Sequence, residues 1–286
     1  MTVVVATALA PPEPHSTADA LADWVARRPR LLVLTGAGCS SGSGIPEYRD
    51  ENGEWKHRRP VLFADFVASE RVRRGYWARS LVGFARVAEA RPNPAHLGLA
   101  RLERAGIVRS VVTQNVDGLH QKAGSRAVVD LHGRLDRVLC LDCGHVVSRA
   151  DLQQLLLLWN PRYAALTAGA TPDGDAALDG DFDDLRVPSC PCCDGILKPD
   201  VVLFGENVPR TRVETVLAAL DAADGLLVVG SSLMVFSGYR FCLAARALGK
   251  PVAAINRGRT RADELFDLKL EADCGDALQK LATTLA

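Results

Sequence analysis

The chain has 286 residues, 48% of them hydrophobic, enough for one large domain or for a domain carrying a smaller insertion. Its 34 Lys and Arg balance 34 Asp and Glu, so no global positive field exists to hold nucleic acid or an anionic membrane, and no direct nucleic-acid binding is expected. No apolar run approaches the ~18 residues of a spanning helix, which excludes membrane insertion and leaves a soluble globular protein.

Residues 3–10 have the apolar character of a signal-peptide core, but no Lys or Arg precedes Arg27 and Pro11-Pro12-Glu13-Pro14 follows directly. A disordered start over residues 1–15 and a cytoplasmic chain are expected. A helix over 18–27 leads to a buried strand over 31–34, which runs into Thr35 and the turn Gly36-Ala37-Gly38. Such a turn lets backbone N–H groups approach a phosphate, and a helix starting near Ser40 or Ser41 would direct its positive end at the anion. The third glycine of a dinucleotide fingerprint is absent, with Ser41 in its place, and no acidic residue follows ~20 positions on to hold an adenine ribose. Hydride-transfer chemistry is therefore disfavoured. Residues 61–91 form a helical insertion rich in arginine, and Asn93-Pro94 starts a helix over 95–105.

Beyond that helix, apolar runs at 108–112, 226–229 and 252–255 end respectively in Thr113-Gln114-Asn115, Gly230-Ser231-Ser232 and Asn256. A strand-like run over 127–131 ends in His132-Gly133, and helical stretches cover 211–222 and 238–248. Polar groups thus collect at strand C-terminal ends, the edge where open parallel sheets bind ligands. The expected fold is α/β, a Rossmann-like parallel sheet with helices on both faces, plus a smaller domain made of a zinc-binding insertion and a helical insertion. The large domain takes residues 16–60, 92–134 and 200–286; the small one takes 61–91 and 135–199.

Cys140-x-x-Cys143 and Cys190-x-x-Cys193 offer four thiolates that can close one tetrahedral Zn²⁺ site. All four positions are cysteine, so no coordination position is left open and the metal is a structural staple. Cys192 beside Cys193 leaves an alternative pairing, and Cys190 with Cys193 has the better spacing. Cys39, Cys242 and Cys274 read as small buried hydrophobes or pocket lining. The aspartates at 173, 175, 179, 181, 183 and 184 lack the glycine and glutamate of a calcium loop and read as a solvated acidic loop. His96 and His120 read as satisfied structural histidines, whereas His132 between Leu131 and Gly133 brings an imidazole to the sheet edge that also carries Asn115 and Asp117.

In order, G-A-G-x-S-x-x-S-G-I-P-x-Y-R at 36–49, T-Q-N-V-D at 113–117, L-H-G at 131–133, the two cysteine pairs, K-P-D-V-V-x-F-G-E at 198–206, G-S-S-L at 230–233 and Asn256 resemble a sirtuin. The stretches at 76–79, 136–144 and 170–175 resemble the class II branch that includes mitochondrial lipoamidase and ADP-ribosyltransferase-type members. The chain lacks their transit peptide, which points to a bacterial relative. The resemblance implies NAD-dependent removal of an acyl group from a protein lysine, in which the acyl oxygen attacks the nicotinamide ribose as nicotinamide leaves. His132 would be the general base toward a ribose hydroxyl. Asn115 would position ribose and water, Asp117 would hold the nicotinamide carboxamide, and Gln114 would bond ribose hydroxyls.

Also implied as cofactor-binding are Gly36, Ala37, Gly38, Ser40, Ile45, Pro46, Tyr48, Arg49, Val116, Gly230, Ser231, Ser232, Asn256, Arg257, Gly258 and Cys274. Val201, Leu203, Phe204 and Gly205 would form the channel along which an acylated peptide adds as a strand. Tyr76 and Arg79, three residues apart on one helix face, would clamp a carboxylate, which implies a preference for acidic or bulky acyl groups over acetyl. Cys39, where the family has an aliphatic residue, would tune the cofactor loop. A monomer is expected; the competing readings are protein mono-ADP-ribosyl transfer from the same site and a non-catalytic NAD-sensing module.

Overall fold

Strands whose residues are apolar on both faces need cover on both sides, and three successive examples set the architecture. The computed structural model describes residues 17–50, 52, 54–56, 60–166, 169, 171 and 175–286. The expected disordered start at 1–15 and the aspartate at 173 lie outside them. In chain order the elements are α1 (Ala18–Ala26), β1 (Leu31–Thr35), α2 (Phe63–Ala68), α3 (Glu70–Glu89), α4 (Pro94–Arg104), β2 (Val108–Thr113), α5 (Leu119–Lys122), β3 (Val128–Asp130), β4 (Gly133–Cys140) and β5 (Val146–Ser148). They continue with α6 (Arg149–Trp159), α7 (Pro161–Ala164), β6 (Leu197–Val201), α8 (Arg210–Ala222), β7 (Gly225–Val229), α9 (Phe236–Ala247), β8 (Val252–Ile255), β9 (Leu268–Leu270) and α10 (Cys274–Leu285).

Every residue of β1, β7 and β8 is buried. These strands lie inside a six-stranded sheet of order β3-β2-β1-β7-β8-β9, parallel at every pairing. One face packs against α1, α4 and α10 through Leu21, Trp24, Leu99 and Leu278; the other packs against α8 and α9 through Val216, Leu220 and Phe241. The strand order reverses between β1 and β7, and a crevice opens at such a switch point beyond the strand C-termini.

A three-stranded antiparallel sheet, β5-β4-β6, packs with α2, α3, α6 and α7 around a separate core that includes Phe66, Trp77, Val138 and Leu156. Trp77 and Arg149 are fully buried there, Arg149 donating to Gln153 Oε1 at 2.7 Å with its guanidinium over the Phe84 ring. Local signals explain several boundaries. The Asn93 side chain caps α4 with Pro94 at its first position, and Asp273 caps α10 by accepting from Gly275 N–H at 2.8 Å.

Two expectations are corrected. No α-helix follows Gly36-Ala37-Gly38: the chain makes two short 3₁₀ turns, Ala37–Cys39 and Ser41–Ser43, so no helix terminus points at a phosphate there. The aspartate-rich stretch is not uniformly solvated, since Asp175 is buried close enough to Arg149 to favour its charged form. Within 135–199 the patterning leaves the elements hard to see, because β5 spans only three residues and α6 exposes Leu155 and Leu158.

Candidate active site and zinc centre

Gly36 directly follows β1 and Gly230 directly follows β7, side by side at the switch point. A Cβ on Gly36 would lie 2.7 Å from Ser231 Cβ, and one on Gly230, whose φ is +59°, would lie 2.4 Å from the Cys39 nitrogen. The glycines therefore let the two turns interlock. Their N–H groups are spent inside the protein: Gly36 N–H donates to Val229 O at 3.1 Å, Gly38 N–H to Gly230 O at 2.9 Å and Ser40 N–H to Ala37 O at 2.9 Å. The Gly36, Gly38 and Ser40 amides are thus taken by the protein's own carbonyls, while the turn itself lines the cavity together with Ser232, Arg257 and Arg259.

The polar residues after β2 are tied to this turn. The buried Ser40 hydroxyl donates to Asp117 Oδ2 at 2.7 Å and accepts from Asn115 Nδ2 at 2.9 Å, which also donates to Gly36 O at 2.9 Å. Asp117 Oδ1 accepts from Leu119 N–H at 2.8 Å. Gln114 Oε1 accepts the Ser231 hydroxyl at 2.6 Å, and the Gln114 carbonyl is 2.9 Å from His132 Nδ1. A carbonyl only accepts, so Nδ1 carries the proton and Nε2 presents the lone pair, 2.8 Å from the Ser237 hydroxyl. Burial lowers the His132 pKa to about 4, opposed by the Gln114 carbonyl and reinforced by Arg212, so the ring is neutral at pH 7.

Beneath the turn, the His96 and His120 rings pack against each other tilted at 59° with centroids 4.8 Å apart, and bond Ser40 and Thr35 respectively. Burial lowers their pKa values to about 4 and about 3, with the neighbouring His96 adding to the effect on His120. Both stay neutral; both His96 nitrogens are bonded, whereas His120 Nδ1 is buried without a hydrogen-bond partner, so only His96 is fully satisfied as expected. Cys39 and Cys242 are buried in the apolar cores, and Cys274 reaches the cavity wall.

A cavity of about 540 Å³ joins the two-glycine turn to His132. The expected cofactor residues all line it except Pro46, which faces a minor pocket with Arg86, and Gly258, whose carbonyl accepts from Lys269 Nζ at 2.8 Å. Tyr48, Trp55 and Phe204 form an aromatic cluster on one wall with centroids 5.6–6.3 Å apart. Val201, Leu203, Phe204, Gly205 and Tyr76 also line the cavity. Arg79 does not: its guanidinium lies back along α3 beside Gly75, so the structure does not bring the Tyr76–Arg79 pair together on the cavity wall.

Sequence reasoning missed Trp55, Leu233, Ser237 and Arg240, all in the lining. Leu233 has φ +56°, a rare conformation for a bulky residue, and its strain marks the turn after β7 as constrained. Arg240 has its Nε buried without a hydrogen-bond partner and a guanidinium 5.1 Å from the Phe236 ring. Leu233 belongs to the G-S-S-L run itself, Ser237 and Arg240 had only their nearness to it as a signal, and Trp55 had none.

The zinc expectation is met by geometry. Cys140 and Cys193 Sγ atoms are 3.6 Å apart, as are those of Cys143 and Cys190, and all four lie within 4.8 Å of one another. A tetrahedron with Zn–S near 2.3 Å has edges of about 3.8 Å, so these donors fit the ion. Left-handed residues close each knuckle, Gly144 at φ +73° and Asp194 at φ +58°, with their N–H groups bonded to Cys140 O and Cys190 O. Cys192 stays outside the set, its N–H directed at Cys190 Sγ. The cluster is a structural zinc centre.

Residues 36–237 match the model of the Sir2 family. The chain is 57% identical over 263 residues to a protein of Xanthomonas campestris pv. campestris (strain 8004) named NAD-dependent protein deacetylase, covering 92% of this chain and 90% of that one. It is 47% identical to the Bos taurus protein named NAD-dependent protein lipoamidase sirtuin-4, mitochondrial, covering 94% and 86%. Among solved structures, one described as "Structural Basis for the Mechanism and Regulation of Sir2 Enzymes" superposes with TM-score 0.73 at 31% identity, over 94% of this chain and 97% of that one. Another, described as "Sir2-p53 peptide-NAD+", gives 0.75 at 26% identity over 94% and 98%.

Proposed function

The chain belongs to the Sir2 family, and from that premise we infer that it is an NAD-dependent protein lysine deacylase. The observation that carries the reading is one cavity shared by the Gly36 turn, Asn115, Asp117 and the lone-pair nitrogen of His132. NAD, when bound, supplies a ribose carbon with nicotinamide as its leaving group and hydroxyls beside it.

The protein's own residues do the rest. His132 Nε2 is free of a proton across the neutral range and takes one from a ribose hydroxyl. The charge that appears on the ring is stabilised through Nδ1–H by the Gln114 carbonyl. Asn115 and Asp117 are pre-oriented by Ser40 and so offer fixed groups to ribose and carboxamide without reorganising. β6 is an edge strand of the small sheet, and the adjoining segment 202–205 lines the cavity, a template for an extended acyl-lysine peptide.

The finer acyl preference is a proposal. The name of the bovine relative, a lipoamidase, supports a bulky chain. An acidic one would meet Tyr76 with Arg240 rather than with Arg79, since Tyr76 and Arg240 line the cavity. No helix among the described residues is long and apolar enough to cross a membrane, and cysteines gathered in a metal cluster fit a reducing cytoplasm.

Mass spectrometry of products from acetyl, succinyl, glutaryl and lipoyl peptides with NAD tests the assignment. Free lysine and O-acyl-ADP-ribose are expected, both abolished in His132→Ala with zinc content unchanged. ADP-ribose label left on protein, without release of the acyl group, would instead establish the transferase reading.

A further inference from the structure

We propose that Ser237 is a positioning residue for the catalytic base, holding the His132 ring by its reactive nitrogen until a co-substrate hydroxyl takes the place of the serine. The ring has two pinned ends. Nδ1–H donates to the Gln114 carbonyl at 2.9 Å, and the Ser237 hydroxyl lies 2.8 Å from Nε2. With the Nδ1 proton fixed by a carbonyl, the serine O–H is the donor and Nε2 the acceptor. One imidazole with partners on both nitrogens cannot flip or swing without breaking a hydrogen bond.

The placement is built by one helix start. Ser237 and Gly238 lie in the first turn of α9, whose flanking Val235 and Phe236 line the cavity. A Cβ on Gly238 would lie 2.5 Å from Gln114 Nε2, so the helix end packs directly on the Gln114 amide while its neighbour Ser237 holds the imidazole. Gln114 Oε1 is secured in turn by Ser231, six residues before Ser237 on the same connection. Both groups that hold His132 are thus registered by the segment 231–238. The charged group acting on the ring is Arg212 of α8, itself paired with Asp200 at 3.3 Å, and the carbonyl of Gln114 faces the ring from the β2 side.

A serine hydroxyl suits this role because it rotates about χ1 with a small barrier and can yield Nε2 to an arriving hydroxyl. Buried as it is, Ser237 has His132 as its bonded side-chain partner, so the contact stabilises both groups in the resting protein.

The first test needs no activity and is independent of the deacylase assignment. In the NAD-free, zinc-loaded protein, ¹⁵N NMR of the His132 side chain should show Nδ1 protonated and Nε2 a hydrogen-bonded acceptor. In Ser237→Ala the Nε2 resonance should move toward that of an unbonded acceptor nitrogen, and Ser237→Thr should restore it. The second test rests on the deacylase reading: kcat should fall about tenfold in Ser237→Ala with KM for NAD within about twofold, and Thr should recover most of it. An Nε2-protonated tautomer in the parent protein, or an Nε2 resonance indifferent to removal of the hydroxyl, would overturn the proposal even if deacylation is confirmed. The parent spectrum decides the tautomer should Ser237→Ala fail to fold.

Discussion

Two features were marked in the sequence by repeated small residues, the cysteine knuckles and the glycine turn, and they are built on different principles. The cysteine knuckles carry their function in their own side chains: four sulfurs, spaced in pairs, gather around one point. The glycine turn carries its function in what it lacks. Gly36, Gly38 and Gly230 are small because two backbone turns from β1 and β7 occupy the same space, and the chemistry is supplied by Ser40, Asn115 and Asp117 braced against them. A donor set is therefore readable from one segment at a time, whereas an absence acquires meaning only when the partner turn, almost two hundred residues away, is known.

That contrast sets the order of expected damage. Removing zinc, by chelation or by Cys190→Ser, should be the most severe change, because apparent metal-binding energies of ~10–16 kcal/mol in small zinc modules are also folding energy. The core of Phe66, Trp77, Val138 and Leu156 should lose protection from hydrogen exchange while β1, β7 and β8 keep theirs. Equal loss in both would break the comparison, showing that the two lobes fold as one unit. Gly230→Ala should come next. Its φ of +59° and the 2.4 Å approach to the Cys39 nitrogen involve backbone on both sides, which cannot step aside, so about 4 kcal/mol of stability is at stake. Thermal unfolding of the variant should show it, together with loss of NAD binding and retention of zinc.

What the sequence made legible follows the same division. Buried parallel strands announced themselves as apolar runs, since β1, β7 and β8 are covered on both faces, and Asn93-Pro94 placed the start of α4. His132, Asn115, Asp117 and the four cysteines were recognisable because their side chains are the chemistry. The helix expected after Gly38 did not form because its amides already bond to Ala37, Gly36 and Gly230 carbonyls. Arg79 seemed paired with Tyr76 by helical spacing, yet spacing fixes only the side of the helix and not the rotamer, which turns the guanidinium toward Gly75. Ser237 and Arg240 carried no pattern beyond their nearness to the G-S-S-L run, since their meaning depends on β7 feeding α9 past His132.

A third effect, smaller for each group, sharpens the contrast through acid. His96 and His120 lie under the glycine turn, each at most 1% exposed, with pKa values lowered to about 4 and about 3 by burial. Their folded values lie below the unfolded value near ~6.5, so the unfolded chain binds protons first. Stability should be flat above about pH 7 and decline as pH falls through the window from ~6.5 to the folded values. By pH 5 the loss should be about 2 kcal/mol for each of these histidines, and His132, likewise lowered to about 4 by burial, adds to the decline over the same window. Melting temperatures recorded from pH 8 to pH 5, with zinc content measured at each point, separate this from metal release. A protein that grows more stable on acidification would show the two rings to be charged in the folded state.

The smallest effect isolates conformation from contact. Gly44 has φ +81°, more positive than Gly230, yet an added Cβ would meet nothing within 4 Å. Gly44→Ala therefore incurs only the left-handed backbone cost of an L-residue, about 1 kcal/mol, part of which the lower entropy of the unfolded chain offsets. Tm should fall by no more than about 4 °C. A loss as large as that of Gly230→Ala would mean that positive φ alone dictates glycine in this turn region, and the interlock of the β1 and β7 turns would no longer be needed to explain it. A small loss leaves the 2.4 Å approach as the cause, and with it the inference that glycine at the switch point serves the protein's own packing before it serves any ligand.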